Sequence, residues 1–305
     1  MSNKQKILVI VGPTASGKSG LAWELAQKYN GEIISADSRQ VYRGLDIGTG
    51  KEKFPQHLID VADPTEDFNV SNFVKLAKEK IEEIVARGNL PIIVGGTGFW
   101  IDSLVYGYEL PEVKPSRELR QEMDTKTTYE LLEQLQKLDP HRAKHIDGHN
   151  KRRLIRALEI ALSPSGSRIS PRPPFTVKGG EGGYTALWIG IKLPKEELNR
   201  RIEERLNHWF EQGLIEETKK LHDSGISWQR LESLGMEYRS VARYLQGTIS
   251  EGEMFDEALR AIRQYAKRQM TWFKRNKNIN WINPLNPPYI KGEGIDLEIV
   301  EFLNT

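Results

Sequence analysis

Gly12-Pro13-Thr14-Ala15-Ser16-Gly17-Lys18-Ser19 fits the spacing G-x-x-x-x-G-K-[ST]. Glycines at these positions let the backbone curl so that several N–H groups converge on phosphate oxygens. The N-terminus of the helix that follows adds partial positive charge. Lys18 supplies a full charge, and the Ser19 hydroxyl suits Mg2+. Asp37 is a second candidate, as a metal ligand or a general base. Capping the next turn with its side chain is an equally good use of Asp37. Gly95-Gly96-Thr97-Gly98 would let a ligand approach the backbone closely and offers one hydroxyl. Two basic clusters complete the set. Residues 141–156 hold Arg142, Lys144, Lys151, Arg152, Arg153 and Arg156 against the single acid Asp147. Residues 258–277 hold seven cations and no acid, on a chain whose formal charge is only +2. Such concentration points to a polyanion, most simply a nucleic acid.

These groups need a scaffold, and the hydrophobic pattern describes one. Ile7 to Val11 is a continuous apolar run ending at Gly12, as in a strand buried on both faces. A helix from Gly17 to Tyr29 follows, with Leu21, Ala22, Leu25 and Ala26 on one side. Glu32 to Ser35 is a strand ending just before Asp37, and His57 to Val61 is expected as another. Asn72 to Arg87 has helical spacing, and Pro91 to Val94 is a buried strand ending at the second glycine cluster. This alternation predicts an α/β fold, a P-loop NTPase-like parallel sheet flanked by helices. All three candidate groups then fall at carboxyl ends of strands, the edge where open α/β sheets bind ligands.

After Pro115 the character changes. Residues 116–162 read as polar helices, 163–183 as a loop rich in Ser, Pro, Gly and Arg, and 186–193 as a returning strand. The expected organisation is a core of residues 1–115 and 185–305, interrupted by a helical insertion over 116–184. In 258–277, Leu259, Ile262, Ala266, Met270 and Phe273 share one face and leave the charge on the others. His141, His145 and His149 are spaced for one helix face, but Pro140 and Gly148 interrupt it, and surface histidines are the better reading.

Composition narrows the classes. A chain of 305 residues can bury a core without staples. With no cysteine it has no disulfide framework, thiolate zinc finger, Cys nucleophile or iron–sulfur site. No apolar run approaches the ~18–20 residues of a membrane span, and residues 1–11 lack a signal-peptide core, so a cytoplasmic protein is expected. Two classes remain on these residues alone: a small-molecule kinase using ATP, and a P-loop enzyme acting on nucleic acid. The insertion and the basic clusters are surplus to the first.

A longer series of motifs decides between them. The phosphate loop is followed by Ile34-Ser35-Ala36-Asp37-Ser38-Arg39-Gln40-Val41-Tyr42-Arg43-Gly44-Leu45-Asp46-Ile47-Gly48-Thr49, then by His57-Leu58-Ile59-Asp60 and Pro91 to Gly98. Asn150 to Glu159 and Ala266 to Phe273 continue the order. Over residues 7 to about 282 the chain resembles the tRNA dimethylallyltransferase, or tRNA isopentenyltransferase, family in its shorter bacterial type.

The resemblance implies a reaction and a set of roles. The family transfers the dimethylallyl group of dimethylallyl diphosphate to the exocyclic amine of the adenine 3′-adjacent to the anticodon, in tRNAs reading codons that begin with U. Mg2+ is the implied cofactor. Gly12, Pro13, Thr14, Ala15, Ser16, Gly17, Lys18 and Ser19 would hold the diphosphate, with Ser19 on the metal, although such loops are also described as ATP-binding. Asp37 would be the general base and Thr97 would lie beside the reacting amine. Arg201 or Arg205 would clamp the diphosphate. Asp37, Ser38, Arg39, Gln40 and Thr97 would contact the nucleotides near the target. Arg152, Arg153, Leu154, Ile155 and Arg156 would contact the tRNA anticodon stem-loop from the insertion. The enzyme is expected to act as a monomer.

Overall fold

A computed structural model describes the chain except residues 1–3, 109, 111, 112, 114, 115, 164–182 and 286–292. Five strands, β1 (Gln5–Val11), β2 (Gly31–Ser35), β3 (Leu90–Gly95), β4 (Tyr184–Ile191) and β5 (Ile279–Ile282), form one sheet in the order β2-β3-β1-β4-β5. Every adjacent pair is parallel. The apolar runs explain this: in β1, Ile7, Val9 and Val11 enter one core while Leu8 and Ile10 enter the other. A sheet covered on both faces has no use for alternating polar residues. On one face pack α1 (Lys18–Lys28), through Ala22, Leu25 and Ala26, and α13 (Glu293–Asn304), through Ile295 and Ile299. On the other pack α2 (Val70–Ala86), α3 (Gly98–Tyr106) and the C-terminal helices α8 (Lys195–Glu211) through α12 (Glu251–Phe273).

Residues separate into two compact units, Met1–Gly107 with Gly179–Thr305, and Tyr108–Lys178. Tyr184 opens β4 and so belongs to the sheet. The Ser/Pro/Gly-rich loop expected over 163–183 lies, apart from Ser163 and Gly183, outside the described residues. The second unit contains α4 (Arg117–Asp124), α5 (Thr128–Leu138), α6 (Pro140–His145) and α7 (Lys151–Leu162). Its core is Met123, Leu131, Leu135, Leu154, Ile155, Ala157 and Leu158. Thr127 and Glu130 form a capping box that starts α5, and the Asn150 side chain caps α7.

Two expectations need correction. His57 to Val61 is not a strand: His57 makes one isolated bridge to Ile34. Leu58 and Asp60 have φ of 62° and 57°, so the chain turns left-handed twice and cannot stay extended. On α12, Gln269 rather than Met270 occupies the buried position, at 5% exposure.

In the second unit, Glu159 is buried at 3% exposure and takes hydrogen bonds from Arg120 at 2.7 and 3.0 Å and from Arg156 at 3.0 Å. Burial works against its charge, but the two guanidinium groups outweigh burial and hold its carboxyl below the usual range. Both arginines still reach water, so Glu159→Gln should cost roughly 2–3 kcal/mol, at the low end for a broken buried pair. A depressed carboxylate contributes stability above its unfolded pKa of about 4.3 and loses it as pH falls through the lower folded value. Hydrogen exchange of α4 and α7 amides should therefore quicken in the variant at neutral pH, and the gap from the wild type should close in acid.

Candidate active site

Parallel strands bring three turns to one edge. After β1, the phosphate loop curls with Ala15 and Gly17 at φ of 62° and 91°. Gly12 sits tightly there: a Cβ would lie 2.8 Å from Ser16 Oγ and 3.1 Å from the Ile191 carbonyl. Helix α1 begins with no side-chain cap and no acid in its first turn, which leaves its terminal amides free to meet an anion. The Ser16 hydroxyl is buried without a partner among the described residues.

After β2, Asp37 does cap the following turn: its Oδ1 accepts from the amides of Arg39 at 2.8 Å and Gln40 at 3.4 Å. Oδ2 has no hydrogen-bond partner among the described residues. The two readings of Asp37 are therefore compatible, because the turn fixes the carboxylate and leaves one oxygen open. After β3, a Cβ on Gly95 would meet the Ala36 carbonyl at 2.2 Å, so only glycine lets the two turns lie together. Thr97 Oγ1 accepts from the Ser38 amide at 3.1 Å.

Lys18, Ser19, Asp37, Thr14, Gly95 and Arg205 line one cavity, together with Gln40, Glu52 and Gln56. Burial lowers the Lys18 amine to about 8; Asp37 opposes that shift and Arg205 adds to it. Arg205 comes from α8, stacks 4.5 Å over the Trp209 ring and donates to Thr14 Oγ1. Its Nε is buried without a partner among the described residues. Burial also pulls the Arg205 guanidinium below its ordinary pKa, with Glu237 and Asp37 opposing. Arg201 lies one turn earlier, pairs with Glu197 at 2.6 Å and passes near Gly17, without lining the cavity. The structure thus separates two arginines that the sequence left equivalent.

Other expected residues divide. Gln40 lines the cavity, but both ends of its amide are engaged, with Ser35 at 2.8 Å and with the Thr49 and Gly50 carbonyls at 3.1 and 3.2 Å. It staples the 45–50 turn. Ser38 and Arg39 are half-buried beside it. Arg152 and Arg153 are exposed on α7, whereas Leu154 and Ile155 are in the core of their unit. The side chains of Leu154 and Ile155 are thus packing groups within that unit. Arg156 is committed to Glu159 and to the Val113 carbonyl. His141 and His145 lie on α6, which ends there, and no metal-ligating group of three or more His, Cys, Asp or Glu side chains occurs among the described residues.

Sequence reasoning missed Gln56, Glu52, Tyr265 and Gln269. Gln56 Nε2 is a buried donor without a partner among the described residues, aligned along the same cavity as Lys18. It stands beside the expected strand and no motif marks it. Glu217 was missed too: from α9 (Leu214–Asp223) it accepts from the amides of Asp46, Ile47 and Gly48 at 3.1, 2.8 and 3.4 Å. That explains why Asp46-Ile47-Gly48 forms a fixed turn.

Two family models match the chain: "IPP transferase" over residues 40–276 and "Isopentenyl transferase" over residues 5–58. The chain belongs to the tRNA dimethylallyltransferase family. It is accordingly a prenyltransferase. It is 44% identical over 292 residues to tRNA dimethylallyltransferase 2 of Treponema denticola, covering 92% of this chain and 97% of that one. It is 41% identical over 298 residues to tRNA dimethylallyltransferase 1 of Geotalea daltonii, covering 95% and 94%. The crystal structure of the full-length tRNA isopentenylpyrophosphate transferase of Bacillus halodurans superposes with a TM-score of 0.72 at 37% identity, covering 99% of this chain and 97% of that one. The fold and family expected from the motifs are thereby established. No helix among the described residues is long and apolar enough to cross a membrane.

An amine with a pKa near 8 carries its proton below that pH and loses it above. Binding of inorganic pyrophosphate should therefore weaken as pH rises beyond about 8, an effect calorimetry would detect. Lys18→Met should bind more weakly throughout and lack this decline. The same decline in the variant would assign the titration elsewhere.

Proposed function

We propose that this enzyme transfers the dimethylallyl group from dimethylallyl diphosphate to the exocyclic amine of the adenine 3′-adjacent to the anticodon, in tRNAs reading codons that begin with U. The observation that carries the reading is one cavity lined by the phosphate-loop cation Lys18, the buried guanidinium of Arg205 and the carboxylate of Asp37. A kinase of small molecules needs the first; an amine nucleophile calls for the last. The relatives named above as tRNA dimethylallyltransferases support the acceptor.

An allylic carbon ionises readily once its departing diphosphate is stabilised. The phosphate-loop amides, Lys18 and Arg205 put positive charge where that negative charge accumulates. The bond from the allylic carbon to the diphosphate oxygen breaks, and a bond from that carbon to the adenine nitrogen forms. The amine is a weak nucleophile because its lone pair is delocalised into the ring. Asp37 takes its proton through Oδ2 while the turn holds Oδ1, a contribution of roughly 100–10,000-fold. Thr97, held to the Ser38 amide, lies on the next turn and orients the amine. The adenine must leave its stack to reach Asp37, at a cost of about a few kcal/mol that contacts to its pocket and backbone offset.

Hard oxygen donors in the cavity, the Ser19 hydroxyl and the carboxylates of Asp37 and Glu52, fit Mg2+ held mainly by substrate phosphates and water. Ser19 would be its protein ligand. When bound, the ion neutralises charge on the diphosphate. The exposed Arg152 and Arg153 offer cations to the tRNA backbone, and α12 offers Lys267 and Arg268.

Asp37→Asn keeps an oxygen for the turn and removes the base. Transfer of radiolabel from dimethylallyl diphosphate into unmodified tRNA should fall by roughly 100-fold or more, with tRNA binding and melting temperature retained. Near-normal transfer by this variant would refute the assignment of the base. Label entering free AMP or ADP instead of tRNA would refute the acceptor. The double variant Arg152→Glu, Arg153→Glu should weaken tRNA binding and flatten its salt dependence by about one unit of slope for each lost phosphate contact. Pyrophosphate binding should be unchanged, and an equal loss there would mean a structural role for these arginines.

A further inference from the structure

Helix α12 sends three side chains to the second glycine turn. Trp272 packs so closely on Gly98 that a Cβ there would lie 2.2 Å from its ring. Tyr265 brings its hydroxyl to 3.8 Å from where a Cβ on Gly96 would lie. Between them Gln269 lies against Gly96, where a Cβ would come within 2.0 Å of the amide nitrogen. These positions, spaced by four and three, form one helical stripe. A buried glutamine in an apolar stripe is costly unless both ends of its amide are used.

Both ends are used, on different loops. Gln269 Oε1 accepts from the Thr14 amide at 2.8 Å, and Nε2 donates to the Gly96 carbonyl at 3.1 Å. The orientation is fixed by the partners, since an amide N–H only donates and a carbonyl only accepts. Thr14 is held a second time through its side chain by Arg205. Its amide is thus occupied by Gln269 and its hydroxyl by Arg205.

We propose that Gln269 is a positioning residue for prenyl transfer: it sets the gap between the loop that holds the diphosphate and the turn that carries Thr97. This rests on the function proposed above. The donor spans from one loop toward the other, so an error in that gap misplaces the allylic carbon relative to the incoming amine. A misplacement of ~1 Å can cost about 100-fold in rate.

The test combines steady-state transfer to tRNA with calorimetric binding of inorganic pyrophosphate. In Gln269→Ala, kcat should fall roughly 100-fold and pyrophosphate affinity about tenfold, with the tRNA Kd within about twofold of the wild type. Gln269→Glu supplies a readout that a merely structural role would not move. Its carboxylate can accept from Thr14 when ionised, but must be protonated to donate to Gly96. Its activity relative to the wild type should therefore rise as pH falls from about 8 to about 5.5, since burial raises a carboxyl pKa into that range. A kcat and pyrophosphate affinity for Gln269→Ala within about threefold of the wild type would overturn the proposal. If Gln269→Ala does not fold, a flat pH ratio for Gln269→Glu would overturn it equally. A wild type that transfers nothing, while its pyrophosphate binding depends on Gln269, would refute the prenyl-transfer reading and leave the clasp between the loops standing.

Discussion

Five strands running in one direction deliver every strand-to-helix turn to the same edge, and the rest of the molecule follows from that constraint. Both faces of the sheet are sealed by helices, so polar chemistry has only the edges to occupy. From β1 the chain moves outward to β2, whereas from the adjacent β3 it passes β1 to reach β4, so connections depart from neighbouring strands in opposite directions. A crevice opens where those directions diverge. The phosphate loop, Asp37 and the second glycine turn all lie there.

Turns crowded at such an edge expose many backbone amides and carbonyls, and those need partners. The C-terminal half of the chain provides them. Glu217 takes three successive amides of the 46–48 turn and the hydroxyl of Tyr238 at 2.6 Å. Arg230 donates to the carbonyls of Pro64 and Glu66. Arg205 and Gln269 hold Thr14. The helices after β4 are therefore more than a cover for one face of the sheet. They are the mould in which the N-terminal loops set.

What was legible in the sequence was whatever a short stretch encodes by itself. The apolar runs of β1 and β3, the glycine spacing of the phosphate loop and the carboxylate following β2 need no distant partner to be recognised. Strand β5 was not legible, because Ile279-Asn280-Trp281-Ile282 is short and mixed, as befits a sheet edge. The supposed strand at His57 failed because residues that favour extension accept left-handed backbone when neighbouring turns demand it. On α12 a strict apolar pattern selected Met270 over Gln269, whose burial depends on two loops far away in sequence. Arg156 looked like its neighbours Arg152 and Arg153 until Glu159 was seen beside it. That Arg205 lines the cavity and Arg201 does not likewise required three dimensions.

The two bonds on Thr14 join residues separated by 191 and 255 positions. During synthesis at roughly 5–20 residues per second, the phosphate loop leaves the ribosome on the order of 10–50 s before Gln269 exists. For most of that interval β1 also lacks β4 (Tyr184–Ile191), its longest-paired neighbour. An early segment carrying the most recognisable motif of the chain is thus an unfinished object for most of translation. A nascent chain that ends before α12 holds the motif intact but lacks the glutamine that joins Thr14 to Gly96, which ties the finished geometry of the loops to the completion of nearly the whole polypeptide.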